Sequence, residues 1–133
     1  MAVLVLDLDG FKQINDRHGH LAGNDVLVEL SKQLRRMCRK SDLLSRMGGD
    51  EFVAVCPDMD RSMAYARAEA FESIVAEVGR SVCGSETLSV SVGFAVLGED
   101  GEDAGELLAA ADDRMYTAKR AHHEQASQLA AGD

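Results

Sequence analysis

The chain opens on an apolar run, "AVLVL" at residues 2–6, which leads directly into "DLDG", where Asp7 and Asp9 flank Leu8. An apolar run ending on acids and a glycine reads as a buried strand over residues 2–8 handing carboxylates to a loop. From Val26 the period changes. Val26, Leu27, Leu30, Leu34 and Met37 mark one face of a helix, and the segment between strand and helix reads as a loop. Two short apolar segments follow, at about 43–47 and 51–56. Gly48-Gly49 between them is a hairpin signal, because glycine tolerates the positive φ of tight turns. Pro57-Asp58 closes the second strand. A helix over roughly 59–79 carries Ala64, Ala68, Phe71, Val75 and Val78 on its face, and "TLSVSVGFAVL", 87–97, alternates as a strand. Beyond the acidic, turn-rich "GEDGEDAG", a last helix carries Leu107, Leu108, Ala111, Met115 and Ala118. The apolar rhythm stops near His122, which predicts a domain over 1–121 and a fraying tail over 122–133.

The predicted order is β-α-β-β-α-β-α, an α+β arrangement of the split βαβ, ferredoxin-like kind. In that plan strands one and two run parallel, with strand three between them and antiparallel to both. The exit of strand one and the hairpin after strand two then share one edge of the sheet. Asp7 is thereby expected beside Asp50 and Glu51, more than 40 residues away in sequence.

The composition narrows the partners. The chain has 133 residues, 46% hydrophobic and 28% charged, with a net charge of −9. That balance suits one soluble globular domain. It argues against a nucleic-acid backbone as partner, since no basic stripe is available to displace counterions. No run reaches the roughly 18 apolar residues of a membrane span. Three cysteines without Cys-x-x-Cys spacing fit a reduced, cytoplasmic setting.

Acids converging at one sheet edge call for a counterion. Two carboxylates about 4 Å apart repel by roughly 4 kcal/mol at an effective dielectric near 20. Oxygen ligands alone favour a hard ion such as Mg²⁺, which keeps waters and accepts phosphate oxygens. Taken singly, Asp-Glu at a hairpin tip is also an ordinary solvated turn, and Asp-x-Asp after a strand an ordinary cap. Their shared edge favours a metal–nucleotide site.

Four blocks in order resemble a known family. "RMGGDEF", Arg46–Phe52, is similar to the signature of the GGDEF domain, the diguanylate cyclase catalytic domain. "DLDGFKQINDRHGH", "LSVSVGFA" and "ADDRMYTAK" resemble its first strand and loop, later strand and final helix. The likeness runs from about residue 2 to Lys119. It implies condensation of two GTP into cyclic di-GMP and pyrophosphate by a homodimer, with Mg²⁺ or Mn²⁺ as cofactor and a sensor domain elsewhere in the protein. By position, Asp7, Asp50 and the Leu8 carbonyl would hold the metal. Glu51 would be a further ligand or would help deprotonate the attacking 3′-hydroxyl. Gly48 and Gly49 would let the backbone approach phosphates. Asn15 and Asn24 would read guanine, and Phe11, Lys12 and Lys119 would line the substrate site, the lysines neutralising phosphate. "RKSD" matches the product-inhibition site, where Arg39 and Asp42 would grip cyclic di-GMP. Arg67 is a candidate second arginine there, without a definite place.

The chain departs from the family pattern in three places. Asn24 stands where an Asp usually accepts from guanine; it offers one acceptor oxygen, no charge, and suits a helix N-cap instead. His123 stands where a phosphate-binding Arg is usual. The family's preceding helix and its Asp-x-Leu-Thr-Gly-Leu-x-Asn-Arg-Arg segment are not present in this sequence, so the pocket is expected to lack one wall. These features sustain an alternative reading, a weak or inactive module that binds GTP or cyclic di-GMP as a receptor. A haloacid-dehalogenase-like phosphatase also opens on Asp-x-Asp-Gly. Phe11 in place of Thr or Val, and Asp112-Asp113 inside a helical pattern, count against it.

Overall fold

The computed structural model describes residues 1–131. These residues form four strands and four helices. They are β1 (Ala2–Asp9), α1 (Phe11–His18), α2 (His20–Met37), β2 (Leu43–Gly48), β3 (Glu51–Cys56), α3 (Arg61–Cys83), β4 (Ser89–Val96) and α4 (Ala104–Ala131). The sheet order is β2-β3-β1-β4, and every neighbouring pair is antiparallel. Strands β1 and β2 are therefore parallel with β3 between them, as the split βαβ plan requires.

Strand β1 is buried on both faces, which is why its apolar run does not alternate. Leu4, Leu6 and Leu8 face a core shared with Val26, Leu30 and Leu34 of α2 and Phe71 and Val75 of α3. Val3 and Val5 face a smaller core with Leu107, Ala111 and Met115 of α4. The pleat puts Asp7 and Asp9 on this second face too, under α4. Helix α4 lies directly on β4 at Gly93, where a Cβ would meet the Ala111 carbonyl oxygen at 2.1 Å.

The first helical stretch differs from the expectation. Phe11–His18, read as a loop, is helix α1, and α2 begins at His20 rather than Val26. Only Ile14 of α1 is buried, and one buried residue in two turns leaves no period to detect. Gly19, at φ 90°, separates the two helices. Asn24 does not cap α2; Gly19 holds that position and Asn24 lies in the helix body. Helix α3 runs on to Cys83 and stops at Gly84, φ 66°, whose N–H donates to the Arg80 carbonyl. The tail expected to fray from His122 is helical as far as Ala131; residues 132–133 of that expectation lie outside the described residues. Among the described residues no helix is long and apolar enough to cross a membrane.

Candidate nucleotide and metal site

The antiparallel register sets Asp7 of β1 opposite Glu51 of β3. The Leu8 N–H donates to the Asp50 carbonyl at 3.1 Å, tying the strand exit to the hairpin. A bulge between Arg46 and Gly48 bends the edge strand. Gly48 and Gly49 follow at φ 152° and 49°, and no atom lies within 4 Å of where either Cβ would stand. Arg46 Nη1 donates to the Gly49 carbonyl at 3.2 Å and steadies the turn. The hairpin thus presents open backbone beside its acids.

Two of those acids, Asp7 and Glu51, are raised by burial and by the like charges around them. Burial, then the Asp50 charge, push the Asp7 carboxyl above its ordinary value against the pull of Lys119. Burial, then Asp112, Asp7 and Asp50, push Glu51 up as well. Asp112 comes from α4, and its contribution to this rim has no mark in the linear pattern. Asp7, Glu51 and Asp112 line an open groove of about 630 Å³, whose apolar wall includes Met47, Val53 and Tyr116.

Lys119 reaches this edge from α4. Its Nζ donates to the Leu8 carbonyl at 3.1 Å and to Asp9 Oδ1 at 3.0 Å, and stands 3.4 Å from Asp7 Oδ1. Asp9, to which the resemblance gives no role, is the hub. Its Oδ2 accepts from the Ser91 hydroxyl at 2.7 Å and from His122 Nδ1 at 2.8 Å. Burial pushes the Asp9 carboxyl up, but hydrogen bonds from Ser91, His122 and Lys119 outweigh it and hold it below the usual carboxylate range. Burial pulls Lys119 down, and the bond and charge of Asp9 more than restore it.

On α1 and α2, Asn15 and Phe11 press against Gly23. A Cβ on Gly23 would lie 1.8 Å from Asn15 Oδ1 and 3.4 Å from the Phe11 ring. Asn24 is exposed, at a groove of about 620 Å³ shared with Lys32, Arg35 and Arg46. Lys12 is exposed on α1. His123 is exposed, beside a pocket of about 390 Å³ that also holds Arg17 and His122.

A family model described as "Diguanylate cyclase, GGDEF domain" matches residues 1–125. The chain belongs to the GGDEF family. This GGDEF domain is 40% identical over 118 residues to the diguanylate cyclase DgcM of Escherichia coli, covering 89% of this chain and 28% of that protein. The crystal structure of the GGDEF domain of TpbB from Pseudomonas aeruginosa is 37% identical, with a TM-score of 0.78 over 90% of this chain and 75% of that one. The GGDEF domain of DgcB from Caulobacter crescentus, solved in complex with cyclic di-GMP, is 30% identical, with a TM-score of 0.73 over 90% and 72% of the two chains. The chain spans 17–33% of the length of the curated relatives it matches.

Within the GGDEF domain, the Arg39–Asp42 pair lies apart from the hairpin acids, in the turn between α2 and β2. The Asp42 side chain is fully buried. Its Oδ2 accepts from the Arg39 backbone N–H at 2.8 Å and from Arg67 Nη1 at 3.4 Å, which places the arginine that sequence reading left unassigned. Burial pushes Asp42 up, and the two arginines more than reverse it. Arg39 Nε and Asp42 Oδ1 are buried with no hydrogen-bond partner.

As for a metal, among the described residues no three His, Cys, Asp or Glu side chains are gathered as a ready set. Asp7, Asp50 and Glu51 share an edge without forming such a cage. The donors there are nonetheless all hard oxygens, three carboxylates plus the Leu8 carbonyl. That set fits Mg²⁺, which takes few protein ligands and completes its shell with water and phosphate.

Proposed function

We propose that this GGDEF domain condenses two GTP into cyclic di-GMP and two pyrophosphates, as a homodimer in which each chain holds one GTP. The acids of the β1 exit and the diglycine hairpin on one sheet edge, with open backbone beside them, carry this reading. Asp7, Asp50 and the Leu8 carbonyl would hold Mg²⁺ or Mn²⁺, which supplies charge neutralisation at the triphosphate when bound. Gly48 and Gly49 admit the phosphates, while Lys12 and Lys119 offset their charge. Asn15 and Asn24 hydrogen-bond guanine, with Phe11 lining the substrate site. Glu51, lifted by burial and by its acidic neighbours, takes the proton from the 3′-hydroxyl of one GTP. That oxygen bonds to the α-phosphorus of the other GTP as the bond to pyrophosphate breaks, and the second half repeats it. Positioning and electrostatics do most of such catalysis.

Arg39 and Asp42 are the feedback site of this reading, binding cyclic di-GMP once the pair opens towards solvent. The relatives' greater length supports a sensor domain in the full protein, and GTP as substrate with unpaired cysteines supports the cytoplasm. A second reading, a receptor with little turnover, draws on Asn24 and His123. It keeps the Arg39 and Asp42 site and gives up the chemistry.

Purified protein incubated with GTP and Mg²⁺, followed by nucleotide chromatography, separates the two. Cyclic di-GMP that disappears in Glu51→Gln supports the cyclase. No product, with cyclic di-GMP binding that is lost in Arg39→Ala, supports the receptor.

A further inference from the structure

Lys119 occupies a place that phosphate neutralisation alone does not explain. Its Nζ engages Leu8 O at 3.1 Å and stands 3.4 Å from Asp7 Oδ1, and these are oxygens that the proposed function gives to the divalent ion. Its third acceptor is different in kind. Asp9 is held by Ser91 and His122, so it remains a counterion for Lys119 whatever Asp7 binds.

We propose that the Lys119 ammonium is a resident cation competing with the divalent ion for Leu8 O and Asp7, with Asp9, Ser91 and His122 forming the cradle that retains Lys119 when it gives way. The proposal rests on the metal assignment made above. Its physical basis is charge balance. Asp7 is partly buried and close to Asp50, and an unpaired carboxylate there is costly. One ammonium relieves that cost. A divalent ion and an ammonium cannot both sit against the same two oxygens without repelling each other. The ion alone therefore binds weakly. The bound triphosphate offers new acceptors for the donors Lys119 gives up, so metal loading becomes conditional on nucleotide.

The test uses Mn²⁺ alone, without nucleotide, followed by calorimetry and by the paramagnetic resonance of free Mn²⁺. Lys119→Met is expected to bind Mn²⁺ at least about tenfold more tightly than the parent protein, since a competing positive charge is gone. Asp7→Asn in that background is expected to remove the gain. Unchanged or weaker binding in Lys119→Met overturns the proposal, and so does a gain that survives Asp7→Asn. Should Lys119→Met lose cooperative melting, the parent protein decides. Mn²⁺ is expected to raise acylation of Lys119, read by mass spectrometry, while Lys12, Lys32 and Lys40 stay constant; a flat or falling signal at Lys119 overturns it. Failure of the cyclase reading shows separately, as absence of cyclic di-GMP from GTP with these Mn²⁺ affinities intact.

Discussion

Glu51 and Asp7 face each other across β1 and β3 in surroundings that favour their protonated forms. A raised carboxyl makes a better proton acceptor at neutral pH, because the transferred proton is bound more firmly. Glu51→Gln is therefore expected to lower cyclic di-GMP formation by about 10²-fold or more while leaving the chain folded. Steady-state turnover beside a melting curve checks this, and near-normal turnover would assign the proton to another group. The acidic limb of kcat/KM should lie above the ordinary glutamate value of 4.5, read from rates across pH 4–8. A limb at or below that value removes Glu51 as the base.

Among the elements, α4 matters twice: it covers half the sheet and delivers Lys119, His122 and Asp112. Its seat is Gly93, where a methyl group would strike the main chain at Ala111 and Met115. Backbone cannot rotate aside, so Gly93→Ala is expected to destabilise by about 3 kcal/mol. Thermal melting measures it, and an unchanged midpoint would mean that α4 shifts freely. Gly23 makes a contrast. A Cβ there meets the end of the Asn15 side chain, which can swing away, and alanine favours the helix by about 1 kcal/mol. Gly23→Ala should leave stability nearly level and weaken GTP binding several-fold through displaced Asn15. Calorimetry with a non-hydrolysable GTP analogue reads that loss; full affinity would free Asn15 of any role. Helix α1 itself, with Ile14 its one buried residue, was invisible as a period, whereas α2 and α3 announced themselves through several buried residues on one face.

For the whole molecule, acid is the informative perturbation. Asp100, in the loop before α4, is held well below the carboxylate range by Arg114, aided by the Val96 N–H and Arg61, and Asp9 and Asp42 are lowered too. Groups lowered on folding contribute stability that is present above their unfolded value of 3.8 and lost as pH falls towards their folded values. Melting midpoints should therefore drop steeply below about pH 4. Asp100→Asn should lower the midpoint at pH 7 and flatten that slope; a slope identical to the parent's would place the acid sensitivity elsewhere. Protonating Asp7 and Glu51 works in the opposite sense, since their carboxyls are raised. Local pattern was sufficient for the strands, the hairpin, the ferredoxin-like order and the meeting of Asp7 with the hairpin acids, because burial imprints period and strand order restricts topology. Only tertiary structure decided that Lys119 and His122 close on Asp9, more than 100 residues away, and that Arg67 completes Asp42. Polar side chains carry no periodic mark, and which of them touch depends on how whole elements pack.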